Sequence, residues 1–553
     1  MSAIDSVEEI NVSATEPEAS SSSDFWKKTD VFLENCSEYL NPILVKETRQ
    51  ALKSKQFVIT FSLVLIAAWG WSMLGIAMYS PGIAYSPAGA SLLHIYLDIL
   101  LFPLVLIIPF SAFRSLASEQ EDGTYELLSI STLKPEQIIR GKLGSAILQS
   151  MVYFSALAPC IGFTYLLRGI DIITISILLL IVFLLTCILS VTGLLLATVT
   201  RSKQWQSVLS VVVVLLFAFC YFFTVWMSLF MNTIDTSWQA YDQEEFWFIL
   251  AAIISAYVSY FLLIFYAATA QITFASENRS SKLRAVMLVQ HFLILGWMFY
   301  IWVYSNFDAP ALMFAAGMLT VHWAIMGALM NGEQSTLSPR VRRSIPDTLV
   351  GRISLNWFLP GPARGYFYAI SGIIGGGLSV VLIQLCAELA GLDHWYGIEQ
   401  MFWFTFTMSA YAIIYLGMGR LIMMALRKYF FADVFLSFLI HILLIMIGSF
   451  APLILHLSIP SISNYDYSLI EMPNPFWSIT EFFGRGSLSY NYQFIVLQFF
   501  LITGTAFMLL LQIVVSAKDL VPEKVAVPSR VLEEDALLMP VEEPVSDDPW
   551  DQE

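Results

Sequence analysis

Charged residues are scarce in this chain. Only 13% of its 553 residues are Asp, Glu, Lys or Arg, about half the share of an ordinary soluble domain. Apolar residues make up 57% and recur in runs of about 20, the length that an α-helix needs to cross a bilayer. The composition excludes an ordinary soluble protein and predicts an all-α polytopic membrane protein.

Cysteine and histidine are also few, and the signatures of several enzyme classes are missing. The five cysteines form no CxxC pair, and we interpret them as small buried apolar residues without disulfide or metal-binding roles. No GxxxxGK[ST], HExxH or GxSxG motif occurs. We therefore expect no metal site, no catalytic residue and no directly bound cofactor in this chain. Any ATP would act through a separate subunit.

A strongly basic face is missing as well, which excludes a nucleic-acid partner because no surface could neutralise many phosphates. The net charge of −15 arises mainly from the two ends, residues 1–30 and 517–553. Neither end has the apolar core of a secretory signal. We expect both to be disordered acidic tails, because they cannot bury enough apolar surface to offset chain entropy.

Twelve apolar runs lie between the tails. They cover residues 57–79, 92–113, 146–167, 172–200, 206–231, 246–273, 285–305, 309–330, 365–390, 401–426, 432–458 and 491–516. If the N-terminus is cytoplasmic and the sides alternate, every Lys and Arg except Arg168 and Arg485 falls on the inner side. The pattern predicts twelve transmembrane helices with both termini cytoplasmic, in a multi-pass protein of the cell inner (plasma) membrane. We call the span ends on that side the inner ends.

A charged stretch separates the second and third runs. It reads SLASEQEDGTYELLSISTLKPEQIIRGKLGS, from Ser115 to Ser145. The Glu-Asp-Gly-Thr sequence at its centre is typical of a turn. Pro135 and Glu136 favour the first turn of a helix that continues into the third span. The stretch is predicted to be a cytoplasmic loop between two long helices.

A second marked stretch, residues 31–56, precedes the first span. Asn41 is the predicted N-cap of a helix, and Pro42 suits its first position. Apolar and basic side chains fall on different faces of this helix, which favours a position in the inner membrane interface with lysines near anionic headgroups. A generic juxtamembrane helix would have the same pattern, so both interpretations stay open.

Two polar residues fall inside the second span. His94 and Asp98 are four residues apart and face the same way on a helix. A carboxylate within a membrane span is a functional hypothesis by default, but a structural hydrogen-bonded pair near the outer interface is the simpler interpretation. In the ninth span, Gly372 and Gly376 predict close packing against a neighbouring helix.

Both marked stretches resemble the type-2 ATP-binding-cassette (ABC) transporter permeases. The stretch NPILVKETRQALKSKQF is similar to the helix before the first span of that family, and SLASEQEDGTYELLSISTLKPEQIIRGKL is similar to its first cytoplasmic loop. The likeness covers residues 38–275. The matching loop positions are Ser118, Glu119, Glu121, Asp122, Gly123, Thr124, Glu126, Leu127, Leu128, Pro135, Gly141 and Lys142.

The resemblance implies roles for both stretches. Residues 31–56 would form the interfacial helix, with Asn41, Pro42, Lys46, Glu47 and Arg49. The loop would dock on a cytoplasmic ABC ATPase subunit through Glu119, Glu121, Asp122, Gly123, Thr124, Glu126, Leu127 and Leu128. Residues 57–275 would be a six-span permease domain. Residues 276–516 would be a second six-span block, either a diverged permease half or an unrelated accessory domain.

The function implied by the resemblance is that of a membrane-spanning permease subunit of an ABC exporter, driven by ATP hydrolysis on a separate subunit. Six-span permeases of this family usually pair, so a second permease chain is a further candidate partner besides the lipid membrane. An ion-coupled secondary transporter and a non-transporting membrane scaffold are the alternatives. The sequence is compatible with lipid, peptide, drug, ion or polysaccharide substrates.

Overall fold

The computed structural model describes most of the chain in helices. The described residues are 41–80, 82, 87–123, 133–199, 203–233, 243–274, 276–307, 309–334, 337–346, 348–392, 397–429, 433–458, 467–484, 491–520, 525, 528–531 and 533. Within these residues all regular structure is helical, and 12 helices are long and apolar enough to cross a membrane. The predicted all-α polytopic architecture with twelve spans is confirmed.

Contacts divide the chain into two compact units. The first consists of residues 1–197 and 201–236. Its helices are α1 (Pro42–Leu52), α2 (Lys55–Tyr79), α3 (Gly89–Leu101), α4 (Ile108–Glu121), α5 (Pro135–Leu166), α6 (Ile172–Ala197) and α7 (Lys203–Thr233). Helices α3 and α4 belong to one membrane span, Gly89–Glu121, so this unit holds five of the spans.

The second unit consists of residues 198–200 and 237–553. Its helices are α8 (Glu244–Ile272), α9 (Ser281–Tyr304), α10 (Ala309–Met330), α11 (Pro339–Arg343), α12 (Leu349–Asn356), α13 (Pro362–Leu389), α14 (Ile398–Leu426), α15 (Val434–Ser458), α16 (Pro475–Phe483) and α17 (Tyr492–Leu520). Seven of these helices are spans. The sequence analysis divides the chain between residues 275 and 276 into a six-span permease domain and a second six-span block. That division stays a prediction.

A π-helical segment, Phe102–Ile107, joins α3 to α4 inside the second span. Pro103 lies at its start, and the amide of Ile108 donates to the Pro103 carbonyl, a bond that spans five residues instead of four. Proline has no N–H, so the ordinary α-helical bond pattern cannot continue through this point. Wide turns of this kind are common at functional sites, and the continuous apolar run gave no sign of this one.

Helix starts follow their capping residues. The Asn41 side chain accepts a hydrogen bond from the Ile43 amide at 3.0 Å, and Pro42 occupies the first turn of α1. Pro135 starts α5 in the same way. The 32 residues of α5 span about 48 Å, more than a bilayer core of about 30 Å. The helix is therefore longer than a bilayer core requires.

Glycines allow close helix packing within the second unit. A Cβ on Gly372 of α13 would lie 2.1 Å from the ring of Trp323 on α10, and one on Gly376 would lie 3.2 Å from His291 on α9. The Trp323 indole N–H donates to Nδ1 of His291 at 2.9 Å. The predicted close approach at Gly372 and Gly376 is confirmed, and it joins α9, α10 and α13 into one core.

Many apolar side chains of the spans are exposed on the protein surface, where lipid would cover them. The four cysteines in the described spans are unpaired. Cys187 is buried, but Cys386 is exposed, so the expectation that every cysteine is buried is wrong. The reason is that an apolar run in a membrane span has a lipid-facing side as well as a core-facing side.

Candidate functional site

Helix α1 lies along the first turns of α5, at the inner end of the first unit. Two glycines on α5 make this approach possible. A Cβ on Gly141 would lie 2.8 Å from Ile43, and one on Gly144 would lie 2.8 Å from Leu44. The Asn41 side chain, besides capping α1, donates a hydrogen bond to the backbone carbonyl of Gln137. Helix α1 is therefore docked on the start of the third span.

The side chain of Lys142 lies between three helices and is fully buried. Its Nζ is 3.1 Å from Oε1 of Glu47 on α1 and 3.0 Å from Oε2 of Glu119 on α4. It also donates to the Ser115 carbonyl oxygen at 3.2 Å. One ammonium group on α5 thus ties together the helix before the first span and the end of the second span. We call Glu47, Glu119 and Lys142 the buried ionic cluster.

Charge and burial decide how the buried ionic cluster behaves. A buried ion pair contributes little net stability, because desolvation offsets attraction, but removing one partner costs about 3–5 kcal/mol. Lys46 is also 3.5 Å from Glu119, but its side chain is 65% exposed, so this contact is worth at most about 1 kcal/mol. Removing Lys142 would therefore loosen the three helix ends, whereas removing Lys46 would change little.

The turn after α4 begins as its residues predict. Asp122 ends the helix with its amide bonded to the Ser118 carbonyl, and Gly123 has a φ of +70°, which favours glycine. Arg114 pairs with Glu121 at 3.3 Å across the last two turns. Thr124, Glu126, Leu127 and Leu128, which the sequence assigns to ATPase coupling, lie outside the described residues.

Of the predicted site residues, the structure brings Asn41, Glu47 and Glu119 into one place and leaves Lys46 and Arg49 exposed. The function of Lys142 as the common partner was missed. The sequence signal was weak, because Lys142 lies in a helix start that also contains Glu136 and Arg140. Nothing there shows that Lys142 is the buried one, and the sequence alone does not say which carboxylate pairs with it.

The predicted polar pair in the second span faces α7. Nδ1 of His94 is 3.3 Å from the hydroxyl oxygen of Ser228. Oδ1 of Asp98 is buried and has no hydrogen-bond partner among the described residues. His94 and Asp98 share a helix face as predicted, and the Ser228 hydroxyl also bonds to the Asp98 carboxylate. This hydroxyl therefore links the two side chains, and Oδ1 is the carboxylate oxygen left without a partner.

The inner end of the second unit has its own buried ion pair. The fully buried Arg284 guanidinium at the start of α9 lies 2.6 Å from Oε2 of Glu333, just after α10. The same oxygen accepts from the Gly361 amide at 2.6 Å, and Oε1 accepts from the Ser280 hydroxyl at 2.9 Å. Arg284 also donates to the Trp357 carbonyl at 2.9 Å. These bonds fix the segment between α10 and α13 to the end of the span bundle.

On the opposite side of this unit, residues 467–484 pack against α14 and α15. Nδ1 of His456 lies 2.7 Å from Oε1 of Glu471, and both side chains are fully buried. Tyr467 and Ser478 share a hydrogen bond of 2.9 Å. Burial raises the pKa of the Tyr467 hydroxyl to about 12, although its bond with Ser478 acts in the opposite direction. The segment is thus fixed by polar contacts that are shielded from water.

In the part of the chain that the structure describes, no group of three or more His, Cys, Asp or Glu side chains could hold a metal ion. The chain matches no protein-family model, no curated protein and no solved structure at a significant level. The buried ionic cluster is the candidate site, because its residues come from both marked stretches of sequence and lie in contact in the fold.

Proposed function

We propose that this chain is the membrane-spanning permease subunit of an ABC exporter, and that a separate ATPase subunit supplies ATP hydrolysis. The observation that carries the proposal is the position of Lys142, 3.1 Å from Glu47 and 3.0 Å from Glu119. The two stretches that resemble the family are brought into contact there, although nearly a hundred residues separate Glu47 from Lys142 along the chain.

The loop that would bind the ATPase is joined directly to two membrane helices, so that a movement of the loop would also move these helices. The loop leaves α4 after Glu121 and enters α5 at Pro135. A partner that shifts the loop would pull on both helices, and the buried ionic cluster would carry the movement into α1. Since a buried charge cannot exchange its partners for water without a large penalty, the three helix ends should move together.

No reaction is assigned to the chain itself. Its cofactor, ATP, would be bound by the cytoplasmic ABC ATPase, and its other partners would be the lipid of the inner (plasma) membrane and a second permease chain. Charged residues at the centre of the loop would give orientation, while Leu127 and Leu128 would be buried against the ATPase.

The test is to purify this protein from its native membrane and to measure the amount of ABC ATPase subunit that co-purifies with it. Glu126→Arg and Leu127→Asp should each lower the amount of retained ATPase about tenfold, the effect of roughly 1.4 kcal/mol of lost binding. Glu277→Arg is the matched control, because Glu277 is an exposed acidic residue that pairs only weakly, with Arg340 at 3.4 Å. Unchanged ATPase retention in both loop variants, with the spans still folded, would refute the proposed coupling role.

One observation favours the ion-coupled alternative. The buried, unpartnered oxygen of Asp98 is the kind of group that an ion or proton carrier needs inside a membrane. Transport in vesicles without ATP that is abolished by Asp98→Asn would favour a secondary transporter. ATP-dependent transport that survives Asp98→Asn would leave the permease proposal in place.

A further inference from the structure

Two short helices, α11 and α12, lie between the inner end of α10 and the start of α13. They share a small apolar core that consists of Leu337, Val341, Ile345, Leu355 and Leu359. The helices are capped, since the Ser338 hydroxyl accepts from the Val341 amide and the Thr348 hydroxyl accepts from the Gly351 amide. This segment is a folded part of the second unit with fixed side-chain positions.

Four arginines project from this segment, and we call Arg340, Arg342, Arg343 and Arg352 the arginine platform. Arg340 is 72% exposed and pairs only with the half-exposed Glu277, at 3.4 Å. Among the described residues no carboxylate forms an ion pair with Arg342, Arg343 or Arg352. Arg352 is exposed, whereas Arg342 and Arg343 are half-buried and their Nε atoms are buried without a hydrogen-bond partner there. Among the described residues, these four arginines therefore have one acidic partner, Glu277.

Other arginines of the same unit bind partners within it through their terminal nitrogens, although Nε of Arg284 and of Arg420 also has no partner among the described residues. Arg284 pairs with Glu333 at 2.6 Å, Arg420 donates to the Gln512 side chain, and Arg427 donates to the Glu333 carbonyl at 2.7 Å. Arginines with structural roles in this unit have partners within it. The platform arginines are thus available to an anionic ligand.

The chain leaves α17 beside this platform. The Asn356 side chain, at the end of α12, donates to the Leu520 carbonyl at 2.9 Å, and Arg364 donates to the carbonyl of Asp519. Arg352 is four residues, one helical turn, before Asn356. Everything after Leu520 is consequently tethered within one turn of the platform.

The tethered segment has the complementary charge. Residues 533–553 contain no Lys or Arg. Their acidic residues are Glu533, Glu534, Asp535, Glu542, Glu543, Asp547, Asp548, Asp551 and Glu553. The thirteen residues from Leu520 to Glu533 reach up to about 45 Å, whereas the eight residues of α12 are only about 12 Å long. The acidic residues can therefore reach Arg352 on α12, and the shared apolar core places α11 next to α12.

We propose that the acidic C-terminal tail, residues 533–553, binds the arginine platform of its own chain. Tethering gives the tail a high effective concentration at this surface, so that several weak ion pairs suffice. The contact is electrostatic and exposed, and salt should weaken it.

The experiment uses the full-length protein in lipid nanodiscs. A photoreactive benzoylphenylalanine replaces Trp550, and cross-linked peptides are identified by mass spectrometry. We expect cross-links to residues 337–357, with a yield that falls at least about fivefold in Arg342→Gln/Arg343→Gln/Arg352→Gln or on raising NaCl from 0.15 M to 1 M. The matched control, Arg49→Gln/Lys53→Gln/Lys55→Gln, removes three exposed cations from the first unit and should leave the yield unchanged.

A second variant changes the acidic tail instead of the arginines, and it tests the proposal even if the arginine variant does not fold. Neutralising Glu542, Glu543, Asp547 and Asp548 as Gln and Asn leaves all described residues intact and should reduce the same cross-links to a similar extent. Cross-links to anionic lipid, to a co-purified protein or to another part of the chain in place of residues 337–357 would overturn the proposal. So would cross-links to the platform that neither set of substitutions changes.

Discussion

Replacing Lys142 by methionine would remove the fully buried cation that lies between α1, α4 and α5. Methionine has nearly the same length and keeps the apolar contacts of the lysine stem. The carboxylates of Glu47 and Glu119, which now approach Nζ at 3.1 and 3.0 Å, would keep only the exposed Lys46 as a nearby cation, at 4.0 Å and 3.5 Å. We expect α1 to detach from α5, because this is the movement that lets Glu47 reach water.

The size of the effect follows from burial. Breaking a buried pair by removing one partner costs about 3–5 kcal/mol. The carboxylate side chains keep 11% and 16% of their exposure, so some water reaches them and the lower value applies. About 3 kcal/mol corresponds to an increase on the order of 100-fold in the opening of α1.

Hydrogen exchange followed by mass spectrometry measures this opening directly. Exchange of the α1 amides should accelerate on the order of 100-fold in Lys142→Met, while amides in the middle of α6 stay protected. Lys46→Met is the matched control. Lys46 is 65% exposed and lies 3.5 Å from Glu119, so its removal should change the opening free energy by no more than about 1 kcal/mol.

A triple variant separates charge from packing. Glu47→Gln/Glu119→Gln/Lys142→Met has no buried charge in the cluster, and most of the α1 protection should return. Unchanged α1 exchange in Lys142→Met would refute the reasoning. Equal loss of protection in Lys142→Met and the triple variant would also refute it, since packing and not charge would then hold α1.

Two further predictions concern the second unit. Gly372→Ala should destabilise the protein by about 1–3 kcal/mol, measured by thermal unfolding in detergent, because the new Cβ would lie 2.1 Å from Trp323. Gly375→Ala, whose Cβ would meet nothing within 4 Å, should be neutral or gain up to about 1 kcal/mol of helix propensity, and equal losses would contradict the packing argument. Glu471→Ala should cost about 3 kcal/mol, because it removes the carboxylate that lies 2.7 Å from the fully buried His456 and accepts from the Ser468 amide and hydroxyl. Accelerated hydrogen exchange across residues 467–484 would reveal this loss, and unchanged exchange there would show that the contact does not hold the segment.

Local signals in the sequence predicted the spans and several helix starts. Run length and hydropathy depend only on neighbouring residues, so all twelve spans were identified, and Asn41 was recognised as a cap from its own chemistry and that of Pro42. The π-helical segment Phe102–Ile107 was not predicted, although Pro103 lies within it. A proline inside an apolar run is compatible with a kink, a break or a wide turn, and only the packed structure selects one.

Contacts between distant residues were beyond the sequence. Glu47 and Glu119 were noted for their place in the family pattern, but nothing in the sequence assigned both to Lys142. The pair of Arg284 and Glu333 was missed for the same reason. A single sequence gives the charge of each residue and its position along a helix, whereas burial depends on which helices become neighbours. The short helices α11 and α12 were likewise hidden, because their apolar residues are too few to form a run.

The wide turn at Phe102–Ile107 has a geometric consequence for the second span. One additional residue in a turn rotates everything beyond it by about 100° relative to an uninterrupted α-helix. The span therefore directs His94 towards α7 on one side of the turn and Glu119 towards Lys142 on the other. Deleting a single residue from this turn would rotate the two halves of the span relative to each other. One of these two side chains would then point away from its neighbour.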